Sequence, residues 1–93
     1  MKREIVVLHG RVQGVGFRER VLEIAGAHDV AGSVRNLASG KALEIDVEGD
    51  SLAVDAFIAA VIAKPPFFAR IDHIERRPAT PRGVLGFSRA PTR

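Results

Sequence analysis

The chain has 93 residues, a formal net charge of +3, five phenylalanines, and no cysteine, tryptophan or tyrosine. That length suits one domain, residues 1–93, with a modest two-layer core, so any chemistry is expected at one surface site and not in an interdomain cleft. Absence of cysteine excludes disulfide frameworks, thiolate metal centres and thiolate phosphatase chemistry. No apolar run approaches the roughly 20 residues of a spanning helix, so a cytoplasmic protein without membrane attachment is expected.

The run Ile5-Val6-Val7-Leu8 predicts a strand over residues 4–9, apolar enough throughout to lie centrally in a sheet. Behind it comes His9-Gly10-Arg11-Val12-Gln13-Gly14-Val15-Gly16-Phe17-Arg18. Its three glycines allow positive φ and bring backbone close to a ligand with no Cβ in the way. In a loop that feeds a helix start, consecutive N–H groups can converge on an anion, and the helix terminus adds positive partial charge. Arg18 offers a planar fork of donors that matches two oxygens of a phosphate or carboxylate. The same residues also suit a plain strand-to-helix turn with Arg18 solvated. Nucleotide patterns fit worse: Glu19 stands where G-x-G-x-x-G needs its last glycine, and there is no G-x-x-x-x-G-K-[ST].

Phe17, Val21, Ile24, Ala25 and His28 recur at helical spacing and predict a helix over residues 18–29. Gly32 to Leu37 is a short strand, and Ala38-Ser39-Gly40-Lys41 has turn chemistry. Leu43, Ile45 and Val47 alternate with Glu44, Asp46 and Glu48, so this second strand buries one face and wets the other, and the two strands should form a hairpin. Asp50 suits a helix N-cap. Val54, Phe57, Ile58, Val61 and Ile62 stripe a helix over residues 50–63 that Pro65-Pro66 stops. Residues 70–77 form a strand in which Ile71 and Ile74 are three apart, a spacing that a bulge would reconcile. Residues 78–83 read as a loop, and 85–90 as a short edge strand before a polar end.

The order strand, helix, strand, strand, helix, strand is the α+β split βαβ or ferredoxin-like sandwich, an antiparallel sheet covered by two helices on one face. Fold alone leaves function open.

Gly10 to Arg18 resembles the phosphate-binding signature of the acylphosphatase family, and Gly32-Ser33-Val34-Arg35-Asn36 resembles that family's second motif at the expected distance. The likeness extends to Gly40, Pro65-Pro66 and Gly86-Phe87, whereas the family's usual closing strand is absent from the end of the chain. It implies hydrolysis of acyl phosphates to a carboxylate and inorganic phosphate, with phosphate as product and inhibitor. It also implies a phosphate-binding loop of Gln13, Gly14, Val15, Gly16, Phe17 and Arg18, and a water oriented by Asn36. By itself Asn36 would equally read as a polar residue before a hairpin turn.

The chemistry is self-consistent. A carboxylate whose conjugate acid has a pKa of about 4 leaves without a proton, so no general acid is required. The reaction needs an in-line water and donors for the charge on the phosphoryl oxygens. A neutral amide cannot act as a base, but it can hold the water through its carbonyl.

Other candidates carry less. His9, His28 and His73 show no metal-ligand spacing, so neither a metal nor a cofactor is expected. Glu44, Asp46 and Glu48 read as the solvated side of a strand, and Arg11 as a loop charge that could help attract the anion. Six arginines fall between Arg70 and Arg93. The alternative function is therefore a non-catalytic anion- or RNA-binding module of the same fold, although a chain without tyrosine or tryptophan is poorly equipped to stack bases. A monomer acting on a small molecule is the expected form.

Overall fold

The computed structural model describes residues 1–93. The element order is β1 (Lys2–Arg11), α1 (Phe17–Ala25), β2 (Val30–Asn36), β3 (Ala42–Gly49), α2 (Ser51–Ala63), β4 (Arg70–Ala79) and β5 (Phe87–Arg89). The strands form one sheet in the order β4-β1-β3-β2-β5, and the apolar β1 is interior, as its composition requires. Four strands are antiparallel neighbours, but β5 pairs parallel to β2, so the sheet is mixed and departs from the purely antiparallel expectation at its edge. The chain reaches β5 through a long connection after β4, and strand direction there depends on that crossing, which periodicity does not encode.

The core lies between the sheet and the two helices. Val6, Leu8, Val34, Leu43, Ile45 and Val47 project from the sheet, and Phe17, Val21, Val54, Phe57 and Val61 project from the helices, all 1% exposed or less. Burying a side chain of this size is worth about 1.5–3 kcal/mol, so these eleven carry most of the hydrophobic stabilisation. The break in β4 alternation has the predicted cause. Ile71 pairs with Gly10 and His73 with His9, leaving Asp72 as an extra residue in a bulge. Both Ile71 and Ile74 thereby reach the core side.

Helix α1 is shorter than the apolar spacing predicts. Gly26 caps it, and Ala27 and His28 donate to carbonyls three residues back, Ile24 and Ala25, at 3.0 and 3.2 Å. The last turn thus tightens before residue 29, and His28 lies beyond the helix with its Nδ1 2.9 Å from the Ile24 carbonyl. Asp50 occupies the N-cap position of α2, but its side chain makes no capping bond. No helix is long and apolar enough to cross a membrane.

Candidate active site

Val12 and Phe17, each 1% exposed, fix both ends of the glycine loop in the core. Between them Gln13 gives its side-chain amide to the loop's own support: Nε2 donates to the Leu37 carbonyl at 2.7 Å and to the Ala42 carbonyl at 2.9 Å. These bonds tie the loop to the β2–β3 hairpin. Gly14 and Gly16 have φ of +71° and +81°, the left-handed region that any other residue would enter at a cost. Gly16 is also the N-cap of α1, whose first backbone bond is Arg20 N–H to the Gly16 carbonyl at 3.1 Å. The amides of Gln13, Gly14, Val15 and Gly16 meet no backbone acceptor, and those of Phe17, Arg18 and Glu19 precede the first intrahelical bond.

A cavity of about 180 Å³ opens against this loop, lined by Val12, Gln13, Gly14, Gly16, Phe17, Arg18, Glu19, Asn36 and Arg89. Water's share of liquid volume is about 30 Å³, so there is room for a tetrahedral anion with a water beside it. Arg18 and Asn36, eighteen positions apart in the chain, therefore share one cleft. Arg18 is half-buried, and the neighbouring carboxylate of Glu19 pairs with Arg89 and leaves the Arg18 guanidinium alone. At the end of β2, Asn36 has its side-chain oxygen Oδ1 buried with no hydrogen-bond partner. Val15 packs partly against the core and does not line the cavity.

A larger concavity of about 580 Å³ lies beside the loop, bounded by residues including His9, Arg11, Lys41 and Arg70, but it contains neither Arg18 nor Asn36. Arg11 lies there and not in the cleft. The histidines that look scattered in sequence are less so in space: the His9 and His73 rings are 5.6 Å apart, and His9 Nε2 is 3.1 Å from Glu75. No group of three or more His, Asp or Glu side chains stands close enough to hold a metal ion. Glu48, read as solvated, is 1% exposed and accepts the backbone N–H groups of Arg82 and Gly83, because the connection from β4 to β5 crosses over it.

Arg89 is a cleft residue that sequence reasoning missed. It counted there only as one of six C-terminal arginines, and its place depends on β5 pairing alongside β2. Four of those six are engaged by carboxylates: Arg70 by Asp72, Arg76 by Glu4, Arg82 by Asp46 and Arg89 by Glu19. A free basic stripe for nucleic acid is not what they form.

Comparison with known proteins gives the family and the fold. The acylphosphatase family model matches residues 4–88. The acylphosphatase of Anaeromyxobacter dehalogenans is 42% identical over 84 residues, covering 90% of this chain and 88% of that protein. That of Rhodospirillum rubrum is 37% identical over 92 residues, 99% of each. The crystal structure of acylphosphatase from Bacillus subtilis superposes with a TM-score of 0.90 at 33% identity, covering 97% of this chain and 99% of that one. With a family model over residues 4–88, relatives about 40% identical over most of the chain and the whole fold in common with a solved member, the chain belongs to the acylphosphatase family.

Proposed function

We propose that residues 1–93 act as one metal-independent acyl phosphate hydrolase in which the Gln13–Arg18 loop holds the phosphoryl group and Asn36 orients the attacking water. The observation that carries this reading is the buried Asn36 Oδ1 without a donor, in the same cleft as the unpaired Arg18. A buried amide oxygen normally has a partner, and a water held there would supply one. Arg18 and the loop amides donate to the phosphoryl oxygens, and Gln13 acts through its side chain only to brace the loop.

In the reaction the water oxygen bonds to phosphorus as the bond from phosphorus to the acyl oxygen breaks. The acyl group leaves as a carboxylate, and the water's proton passes to a phosphoryl oxygen. Stabilisation comes from fixed donors aimed at oxygens whose charge builds up, with no group titrating on the path. Inorganic phosphate, the product, fits the same donors and should inhibit competitively. The reading takes the protein as a cytoplasmic monomer with a small-molecule substrate, and size-exclusion chromatography at known concentration checks the oligomeric part.

Phosphate release from benzoyl phosphate tests the activity directly, and the rate should be unchanged in excess EDTA. No release, or release abolished by EDTA and restored by a divalent ion, would overturn the reading.

A further inference from the structure

The chemistry proposed above leaves the Arg89–Glu19 ion pair unused, although both side chains line the cleft with Arg18 and Asn36. They come from different elements of the fold. Glu19 is in the first turn of α1, next to Arg18. Arg89 comes from β5, where it sits opposite Val34, two residues before Asn36, and so it shares Asn36's face of the sheet. Of the cavity's lining residues only Glu19 carries a negative charge. Left free, that carboxylate would oppose a phosphoryl dianion bound at the neighbouring Arg18, since like charges at close range disfavour one another.

We propose that Arg89 is a positioning residue for substrate binding: by holding the Glu19 carboxylate in an ion pair it cancels the one negative charge lining the cleft, and so sets how tightly the phosphoryl dianion is bound. The inference rests on the phosphate-binding reading of the loop. Arg89 acts through Glu19, not by contact with the anion. The two side chains are 46% and 65% exposed, so the effect is moderate and is screened by salt.

The test is a double-mutant cycle read with inorganic phosphate, by calorimetric titration and by inhibition of benzoyl phosphate hydrolysis, at low and high salt. At low salt Arg89→Gln should weaken phosphate binding and raise KM by about three- to tenfold, leaving kcat within about twofold. Glu19→Gln should leave phosphate binding within about twofold of wild type, because the charge it removes is already cancelled by Arg89. The double variant should return to near the wild-type value, Arg89→Lys should restore most of the loss, and the differences should shrink at high salt. A double variant as weak as Arg89→Gln would mean that Arg89 touches the anion itself, and would overturn the proposal, as would unchanged binding in Arg89→Gln. Should Arg89→Gln fail to fold alone, the Glu19→Gln background decides: adding Arg89→Gln there should leave phosphate binding unchanged, and weakening of about threefold or more there sinks the inference. Phosphate binding that follows the cycle without hydrolysis in any variant would overturn the enzymatic reading and leave the pair's role standing; wild-type protein that binds no phosphate overturns both.

Discussion

The open face of the sheet and the cleft at the glycine loop treat charge in opposite ways. On the open face, Arg3 donates to both oxygens of Asp46 at 2.9 and 2.8 Å, Arg82 reaches the same carboxylate at 3.1 Å, and Arg35 meets Glu44 at 2.7 Å. In the cleft, Arg18 has no carboxylate, Asn36 Oδ1 has no donor, and the loop amides have no backbone acceptor. Arg35 Nε on the open face is the other buried side-chain atom without a partner, but its guanidinium is already engaged through Nη2. Folded chains satisfy their buried polar groups nearly everywhere, so a cluster of unmatched groups in one concavity points to a ligand, while matched charges point to stability alone.

Substitutions in the two regions should therefore separate cleanly, catalysis failing in one and folding stability in the other. The largest effect is expected at Arg18. Arg18→Ala should reduce kcat/KM for benzoyl phosphate by about 10³-fold or more, and Arg18→Lys should be nearly as damaging because a point charge cannot contact two phosphoryl oxygens at once. Full activity in Arg18→Lys would show that only charge is needed. Next comes Asn36→Ala, with kcat lowered by about 10²-fold while phosphate inhibition stays largely intact, since Asn36 is assigned to the water. Phosphate inhibition weakened equally by both substitutions would erase that division of roles.

The open-face prediction is smaller and appears as stability. The hydrogen bond from Arg3 holds the Asp46 carboxyl below its usual range, and the hydrogen bond from Arg76 does the same for Glu4 at the other side of the sheet. A depressed folded-state pKa contributes stability at pH values above the ordinary carboxylate range and loses it as pH falls through about 4 toward the folded values. The unfolding midpoint should thus be flat near neutrality and fall below about pH 4. Asp46→Asn should cost about 1–2 kcal/mol at pH 7, flatten the acid limb, and leave kcat unchanged. An acid limb identical to wild type would remove Asp46 from the account.

The smallest effect sits where the regions meet. Gly16→Ala forces a Cβ into a left-handed N-cap and should cost about 1 kcal/mol in chemical denaturation. It also tests whether the loop shape matters to binding, because no atom stands within 4 Å of the added Cβ. Undiminished phosphate affinity would mean that the loop tolerates other conformations.

Much of the fold follows from local pattern. Alternation in Leu43-Glu44-Ile45-Asp46-Val47-Glu48 defines a half-buried strand before any contact is known, because successive side chains point to opposite faces. Val54, Phe57, Ile58 and Val61 define the buried stripe of α2 in the same way. Even the β4 bulge is legible, from two isoleucines that must share a face. The glycine spacing and the Asn36 motif also carry the site's residues and the family resemblance.

Pairings between distant segments decided the rest. That β5 runs parallel to β2, that the β4–β5 connection crosses over Glu48, and that Arg89 enters the cleft to meet Glu19 all depend on which strands become neighbours. Three residues of Phe87-Ser88-Arg89 carry too short a pattern to choose a partner or a direction. Glu48 likewise has the same alternation as its half-buried, ion-paired neighbours Glu44 and Asp46, and only the chain passing above it buried it fully. Periodicity encodes the face a side chain takes, whereas tertiary structure determines what covers that face.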